Sequence, residues 1–372
     1  MAKRLPSTPP TLSGFTPVRP LGTGGFADVF LYEQNMPRRT VAVKVLLADV
    51  VDDDVVRMFN AEADTMARLS SHPSILTVYE AAISPDGRPY LVMEYCPRSI
   101  SPAYRSEVMP LEEVLDIAVR IGAALETAHR AGVLHRDIKP SNILYTSFGT
   151  PVLADFGIAT SLSGRHGNET FAMSVPWSAP EVLTYKTKGT VATEVYSLGA
   201  TIYSLLAGHS PYELAGSSNA KEALRKRVLR GKMTPLDRDD VTDELMRTLL
   251  RSLSNNPENR QSSALEFARE IQAIQKSLDL PVSPLEVVDE EWAGAGAVLA
   301  FADDDMRGAN RAVVPHESTR RSHGTSVAQL AQKRAVDELP ESQKKHLPTW
   351  AWGLITAGVA AAAAIATMLV MS

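Results

Sequence analysis

Cysteine is nearly missing from this chain of 372 residues. The one example, Cys96, has no partner for an internal disulfide, and no Cys/His spacing suits zinc. A disulfide scaffold and a zinc module are therefore excluded, and the folded part is expected in a reducing compartment. Basic runs are missing too. With a formal net charge of -5 and no Lys/Arg-rich stretch, nucleic acid is not expected as a partner. The start, MAKRLPSTPPTLSG, has no apolar core behind its basic residues, which argues against a signal peptide. Its prolines favour a flexible, extended tail over residues 1–14. What is present is ordinary globular composition, 44% hydrophobic and 22% charged, in a length that suits one large or two ordinary domains.

The chemistry concentrates between His135 and Gly157, HRDIKPSNILYTSFGTPVLADFG. Asn142 to Tyr145 and Pro151 to Ala154 read as two short apolar strands around a Gly-containing turn, a hairpin that would fold Asp155 back beside Asp137. A carboxylate to accept a hydroxyl proton, a lysine (Lys139) for a transferring phosphoryl group, and an amide-plus-carboxylate pair (Asn142, Asp155) for a hard cation are what phosphoryl transfer requires. These residues match, without a mismatch, the catalytic loop H-R-D-x-K-x-x-N and the D-F-G triplet of protein kinases, and the chain resembles that family. Lys139 resembles the serine/threonine branch.

Upstream, FTPVRPLGTGGFADVFLYEQNMPRRTVAVKVLL resembles the first three strands of a kinase N-lobe. Gly22, Gly24 and Gly25 would free backbone N–H groups for phosphate oxygens, and Ala27 stands where the family has a third glycine. Alone, the cluster suits an ordinary hairpin turn as well. Val41, Val43 and Val45 alternate with Ala42 and Lys44, which puts the lysine on the face opposite the valines. By itself Lys44 would be a solvated strand lysine; the resemblance makes it the lysine that contacts the α- and β-phosphates. Val55, Phe59, Met66 and Leu69 fall at helical spacing behind acidic residues 52–54, and Glu62 lies on that stripe, where an inward carboxylate needs a cation such as Lys44. The resemblance also places Met66 in a hydrophobic spine with His135 and Phe156.

Strands are expected at Ile75–Ile83 and Pro89–Glu94, separated by a turn at 84–87. The segment after them looks like a kinase hinge. The resemblance implies that Met93 guards the rear of an ATP pocket, that backbone groups of Glu94 and Cys96 meet adenine, and that Leu21, Val29, Ala42 and Leu144 line its faces. Leu111 to Ala131 reads as an amphipathic helix stopped by Gly132. Arg136 resembles the arginine of kinases whose activation loop is ordered by phosphorylation, and Thr170 and Ser174 are candidate acceptors in the loop 158–175. Ser174 also occupies the place of the threonine that sits near the substrate hydroxyl. SAPE ends the segment, with Arg260 matching the ion-pair partner of Glu181. Val191 to Gly208 looks like the central helix of the C-lobe, with Glu194 where the family nearly always has aspartate. Helices at 219–230, 241–253 and 261–277 complete the domain.

The expected fold is therefore α+β and bilobal: a kinase domain over residues 15–276, with a β-rich N-lobe (15–94) and a helical C-lobe (95–276). Residues 277–348 lose regular periodicity and read as a mostly disordered linker with one short helix near 326–339. Residues 349–371 contain WAWGLITAGVAAAAAIATMLVM, uncharged over a length that at about 1.5 Å per residue spans a bilayer. Trp350 and Trp352 suit an aromatic belt, and Lys344, Lys345 and His346 on the N-terminal side leave the kinase domain cytoplasmic in a single-pass cell-membrane protein. Only Ser372 follows, which leaves no room for an outer sensor domain. Gly358 and Ala361 would allow close packing in a homodimer.

The wording is most similar to bacterial, especially actinobacterial, eukaryotic-like serine/threonine protein kinases. That implies transfer of the γ-phosphoryl of ATP to protein Ser or Thr, with Asn142 and Asp155 holding Mg²⁺, or Mn²⁺ in its place. A nucleotide-binding scaffold without catalysis would suit Ala27 and Glu194. A small-molecule kinase of related fold would suit neither the activation-segment motif nor Lys139.

Overall fold

The computed structural model describes residues 4–156 and 174–288. The linker beyond residue 288, the helix near 326–339 and the stretch 349–371 lie outside these residues, as do Thr170 and the side chain of Glu62. Among the described residues no helix is long and apolar enough to cross a membrane.

The β-rich half is one antiparallel sheet, β1 (Phe15–Thr23), β2 (Ala27–Asn35), β3 (Arg38–Leu46), β4 (Val78–Ile83) and β5 (Pro89–Glu94), in the order β1-β2-β3-β5-β4. Alternation along β3 divides its side chains as expected. Val41, Val43 and Val45 are buried with Phe30, Tyr32 and Val92 on one face. On the other, Leu46 joins the first helix and Ala42 faces the cleft. That helix, α1 (Asp53–Leu69), is capped by Asp52, which accepts the Val55 N–H, and it buries Val55, Phe59 and Met66.

Two expectations in this half need correction. β4 starts at Val78 instead of Ile75, because Ile75 leaves the sheet to form an isolated parallel bridge with Leu153. Residues 4–12 are extended, as their prolines dictate, but they are bonded to the sheet instead of standing off it. Leu12 is buried among Phe30 and Tyr32, and the Tyr32 hydroxyl donates to Pro10 O at 2.7 Å.

The helical half is built on α3 (Leu111–Arg130) and α5 (Val191–Ala207). α3 ends where Gly132 adopts a left-handed φ of 73°, and α5 ends at Gly208, φ 74°. α5 starts in a capping box, Thr190 with Thr193. Leu115, Ile121 and Leu125 of α3 meet Leu198 and Ile202 of α5 in one buried core. Phe267 and Ile271 of the last described helix join the same core. The other elements are a short sheet of β6 (Arg98–Ser99), β7 (Ile143–Tyr145) and β8 (Pro151–Leu153), and helices α2 (Ile100–Ala103), α4 (Pro180–Leu183), α6 (Lys221–Arg230), α7 (Asp243–Ser252) and α8 (Ala264–Ser277).

The chain does not leave the lobe at residue 276. Ser283 N donates to the Gln275 amide oxygen, Oε1, at 3.0 Å, and Gln275 Nε2 returns a bond to Ser283 Oγ at 2.8 Å. Leu280 and Leu285 pack on the core. Farther on, Glu286 O accepts from His72 Nε2 at 2.6 Å, on the turn between α1 and β4.

Candidate active site

The β7–β8 hairpin builds the site. Ile143 opposes Leu153 and Leu144 opposes Val152, and Ala154 N donates to Asn142 O at 2.8 Å, which returns Asp155 to the level of Asn142. Asp137, Lys139, Asn142 and Asp155 then line one cavity of about 310 Å³ together with Lys44, Gly22, Gly24 and Gly25.

His135 locks the loop that carries Asp137. It is fully buried, its Nδ1 accepts the Asp137 N–H at 3.2 Å, and its Nε2 therefore donates to Ala154 O at 2.9 Å. Its ring lies 4.6 Å from that of Phe156, and Phe156 and Met66 share one buried cluster, so the three spine residues are brought together. From below, Glu194 on α5 accepts His135 N–H at 3.0 Å and Arg136 N–H at 2.5 Å. Its extra methylene is absorbed by a third partner that sequence reasoning missed: His129 Nε2, 2.8 Å from Glu194 Oε2. Arg136 and Asp155 sit at left-handed φ of 65° and 62°, a conformation that costs a non-glycine residue roughly 1 kcal/mol and is retained here under these bonds.

Around Asp137 the polar groups converge. Oδ2 receives Lys139 Nζ at 2.5 Å and Asn142 Nδ2 at 3.2 Å, and Oδ1 receives the Ser174 hydroxyl at 2.7 Å. Lys139 Nζ is also 3.1 Å from Ser174 Oγ. The site thus already holds an aliphatic hydroxyl between a carboxylate and an ammonium. Across the cavity, Lys44 Nζ lies 2.7 Å from Asp155 Oδ1, and that charge holds the Asp155 carboxyl below the usual carboxylate range.

Among the described residues no group of three or more His, Cys, Asp or Glu side chains could cage a metal. Asn142 and Asp155 instead offer a few hard oxygens in an open cavity. Such a set fits Mg²⁺, which keeps waters and takes phosphate oxygens as ligands.

A second cleft of about 450 Å³ shares Gly22, Val29 and Asp155 with the first and is lined by Leu21, Ala42, Met93, Glu94, Cys96 and Leu144. Glu94 N is engaged by Thr77 O at 2.9 Å. Burial, with the Glu94 charge, pushes the Cys96 thiol up to about 12, which leaves it an inert lining group. At the rim of the helical half, Arg260 pairs with Glu181 at 2.6 and 2.9 Å, and its other N–H groups go to Ala192 O and Ser254 O.

A family model described as "Protein kinase domain" matches residues 15–275. Among curated proteins, serine/threonine-protein kinase PknK of Mycobacterium tuberculosis is 36% identical over 292 residues, covering 76% of this chain and 26% of the relative. Serine/threonine-protein kinase PknB of Mycolicibacterium smegmatis is 32% identical over 301 residues, 78% of this chain and 47% of the relative. Serine/threonine-protein kinase PrkC of Bacillus subtilis is 32% identical over 263 residues, 68% and 39% respectively. The chain thus spans 26% to 47% of the length of these relatives.

Proposed function

The chain belongs to the protein kinase family, and from that premise we propose that it transfers the γ-phosphoryl group of ATP to Ser or Thr hydroxyls of proteins. The observation that carries this reading is the Ser174 hydroxyl donating to Asp137 beside Lys139. An acceptor hydroxyl in that position would be oriented by Asp137, which takes its proton, while Lys139 neutralises charge on the group in transit. Lys44 would hold the α- and β-phosphates under the glycine-rich turn, and the second cleft would take the adenine. Asn142 and Asp155 would hold Mg²⁺, which supplies charge neutralisation at the phosphate oxygens. Placement and electrostatics are the protein's contribution.

The test is to incubate the protein with ATP and Mg²⁺ beside an Asp137→Asn variant and map phosphate by mass spectrometry. Transfer that disappears in the variant, with ADP binding kept, supports the reading. Binding with no transfer by the unaltered protein overturns it in favour of the scaffold. Among the described residues nothing favours that alternative: Glu194 reaches both N–H groups of the loop, and Ala27 closes the glycine turn by accepting Gly24 N–H at 2.8 Å. Thr170 and Ser174 are the acceptors we assign to autophosphorylation, with Arg136 as the cation that would meet the new phosphate.

We also read residues 349–371 as a single membrane anchor with the kinase domain on the cytoplasmic side, supported by the uncharged run, its tryptophans and the preceding lysines. Packing at Gly358 and Ala361 would pair two copies. Recovery of the full chain in the soluble fraction without detergent would sink the anchor.

A further inference from the structure

The N-terminal segment ends its path over the sheet at the tip of the glycine-rich turn. Arg88 holds it midway, Nη2 donating to Thr8 O at 2.9 Å and Nη1 to Ser7 Oγ at 3.3 Å. Ser7 N then donates to Asp28 Oδ2 at 2.8 Å. Arg4 completes the path: its Nη2 donates to Asp28 Oδ1 and lies 3.4 Å from Gly24 O.

Asp28 is a fully buried residue on β2, opposite Thr23 at the mouth of the β1–β2 turn. A buried carboxylate needs a cation and N–H donors. Burial alone would raise its carboxyl, but the Ser7 N–H and the Arg4 guanidinium outweigh that and hold it low. The turn itself is tight. Gly24 N donates to Ala27 O at 2.8 Å, and a Cβ on Gly24 would come within 2.9 Å of that same oxygen. One guanidinium therefore joins the buried carboxylate at the base of the turn to a backbone carbonyl at its tip.

We propose that Arg4 is a positioning residue for nucleotide, which fixes the glycine-rich turn over the phosphate cavity through Asp28 and Gly24. This rests on the reading of that cavity as the ATP site. Arg4 touches no reacting atom; its effect is to keep the turn's N–H groups where phosphate oxygens would meet them, so that ordering the turn costs less when nucleotide binds.

The full chain, unaltered and as Arg4→Gln and Arg4→Lys, would be compared in ADP–Mg²⁺ affinity, KM for ATP, KM for a protein acceptor, kcat, and hydrogen exchange over residues 22–27. Loss of a charge-assisted bond at a part-exposed site should weaken ADP–Mg²⁺ binding and raise KM for ATP about fivefold to tenfold in Arg4→Gln. Exchange over 22–27 should rise, and kcat and the acceptor KM should stay within about twofold. Arg4→Lys, which keeps the cation but not the reach of the guanidinium, should restore part of the difference. ADP affinity and exchange both unchanged in Arg4→Gln would overturn the inference, as would a parallel rise in both KM values with a fall in melting temperature. An unaltered protein that takes up no ADP–Mg²⁺ would sink the kinase reading, and exchange over 22–27 in the variants would still decide whether Arg4 holds the turn.

Discussion

Glu194 is the residue whose length matters most. Its carboxylate serves three donors, His135 N–H, Arg136 N–H and His129, and aspartate would withdraw it by roughly 1.5 Å. Glu194→Asp is therefore expected to lower kcat about tenfold, the worth of one charge-assisted bond, with KM for ATP little changed. Steady-state kinetics of the two proteins checks this. Titration follows from the same contacts. Burial works to raise the Glu194 carboxyl, but the His129 bond, the neighbouring imidazoles and the Arg136 N–H hold it below its usual 4.5. A carboxyl with a lowered folded-state pKa stabilises fully above its unfolded value and loses that contribution as pH falls through the folded one. The gap in melting temperature between the unaltered protein and Glu194→Gln should accordingly narrow as pH falls below 4.5. The sequence marks Glu194 as a departure from the family. It could not show how the departure is absorbed, because His129 lies 65 residues away.

Elements were legible where a period runs long enough to bury a face. α1 and α3 stand within a few residues of their expected bounds, α5 does so where the resemblance to the family places it, and the β7–β8 hairpin delivers Asp155 as its turn and apolar strands imply. Shorter pieces were not: β6 and α2, of 2 and 4 residues, carry no period, and Ile75 is apolar enough to read as strand while its backbone pairs elsewhere. Nor does sequence show how closely helices approach. α5 meets α7 at Gly199, where a Cβ would stand 1.9 Å from Ser252 Oγ and 2.7 Å from its Cβ. Rotating the hydroxyl relieves only the first clash, so Gly199→Ala should cost about 3 kcal/mol by overpacking. Ser252→Gly in the same protein should recover part of it, as denaturant unfolding would measure. Arg260 ties α4 to the start of α5 and the turn before α8, with its side chain fully buried against Glu181. Arg260→Ala leaves that carboxylate without its cation and should destabilise by about 4 kcal/mol in the same assay.

At the scale of the molecule, the domain is larger than its motifs. Catalytic wording marks residues 15–276, yet residues 4–12 and 279–288 are both stitched to it by contacts that no local pattern announces: an arginine on a distant carboxylate, a glutamine on a serine, a histidine on a carbonyl. A chain ending at residue 276 should be less stable than one ending at 288 by about 2 kcal/mol, since it exposes the core face under Leu280 and Leu285 and strips Gln275 of its Ser283 partners. Thermal melts of the two lengths check this. The route of that last segment also sets how the domain bears load. A pull applied at residue 288 falls first on Val288 N–Thr127 Oγ1, at 3.4 Å, and then on His72–Glu286. Both are single hydrogen bonds, weaker than the interlocked core around α3 and α5. Tension would therefore peel the segment from α3 and then from the turn between α1 and β4 before any of the large helices opened, which makes this length of chain a mechanical fuse whose second break is felt beside the helix that carries Met66.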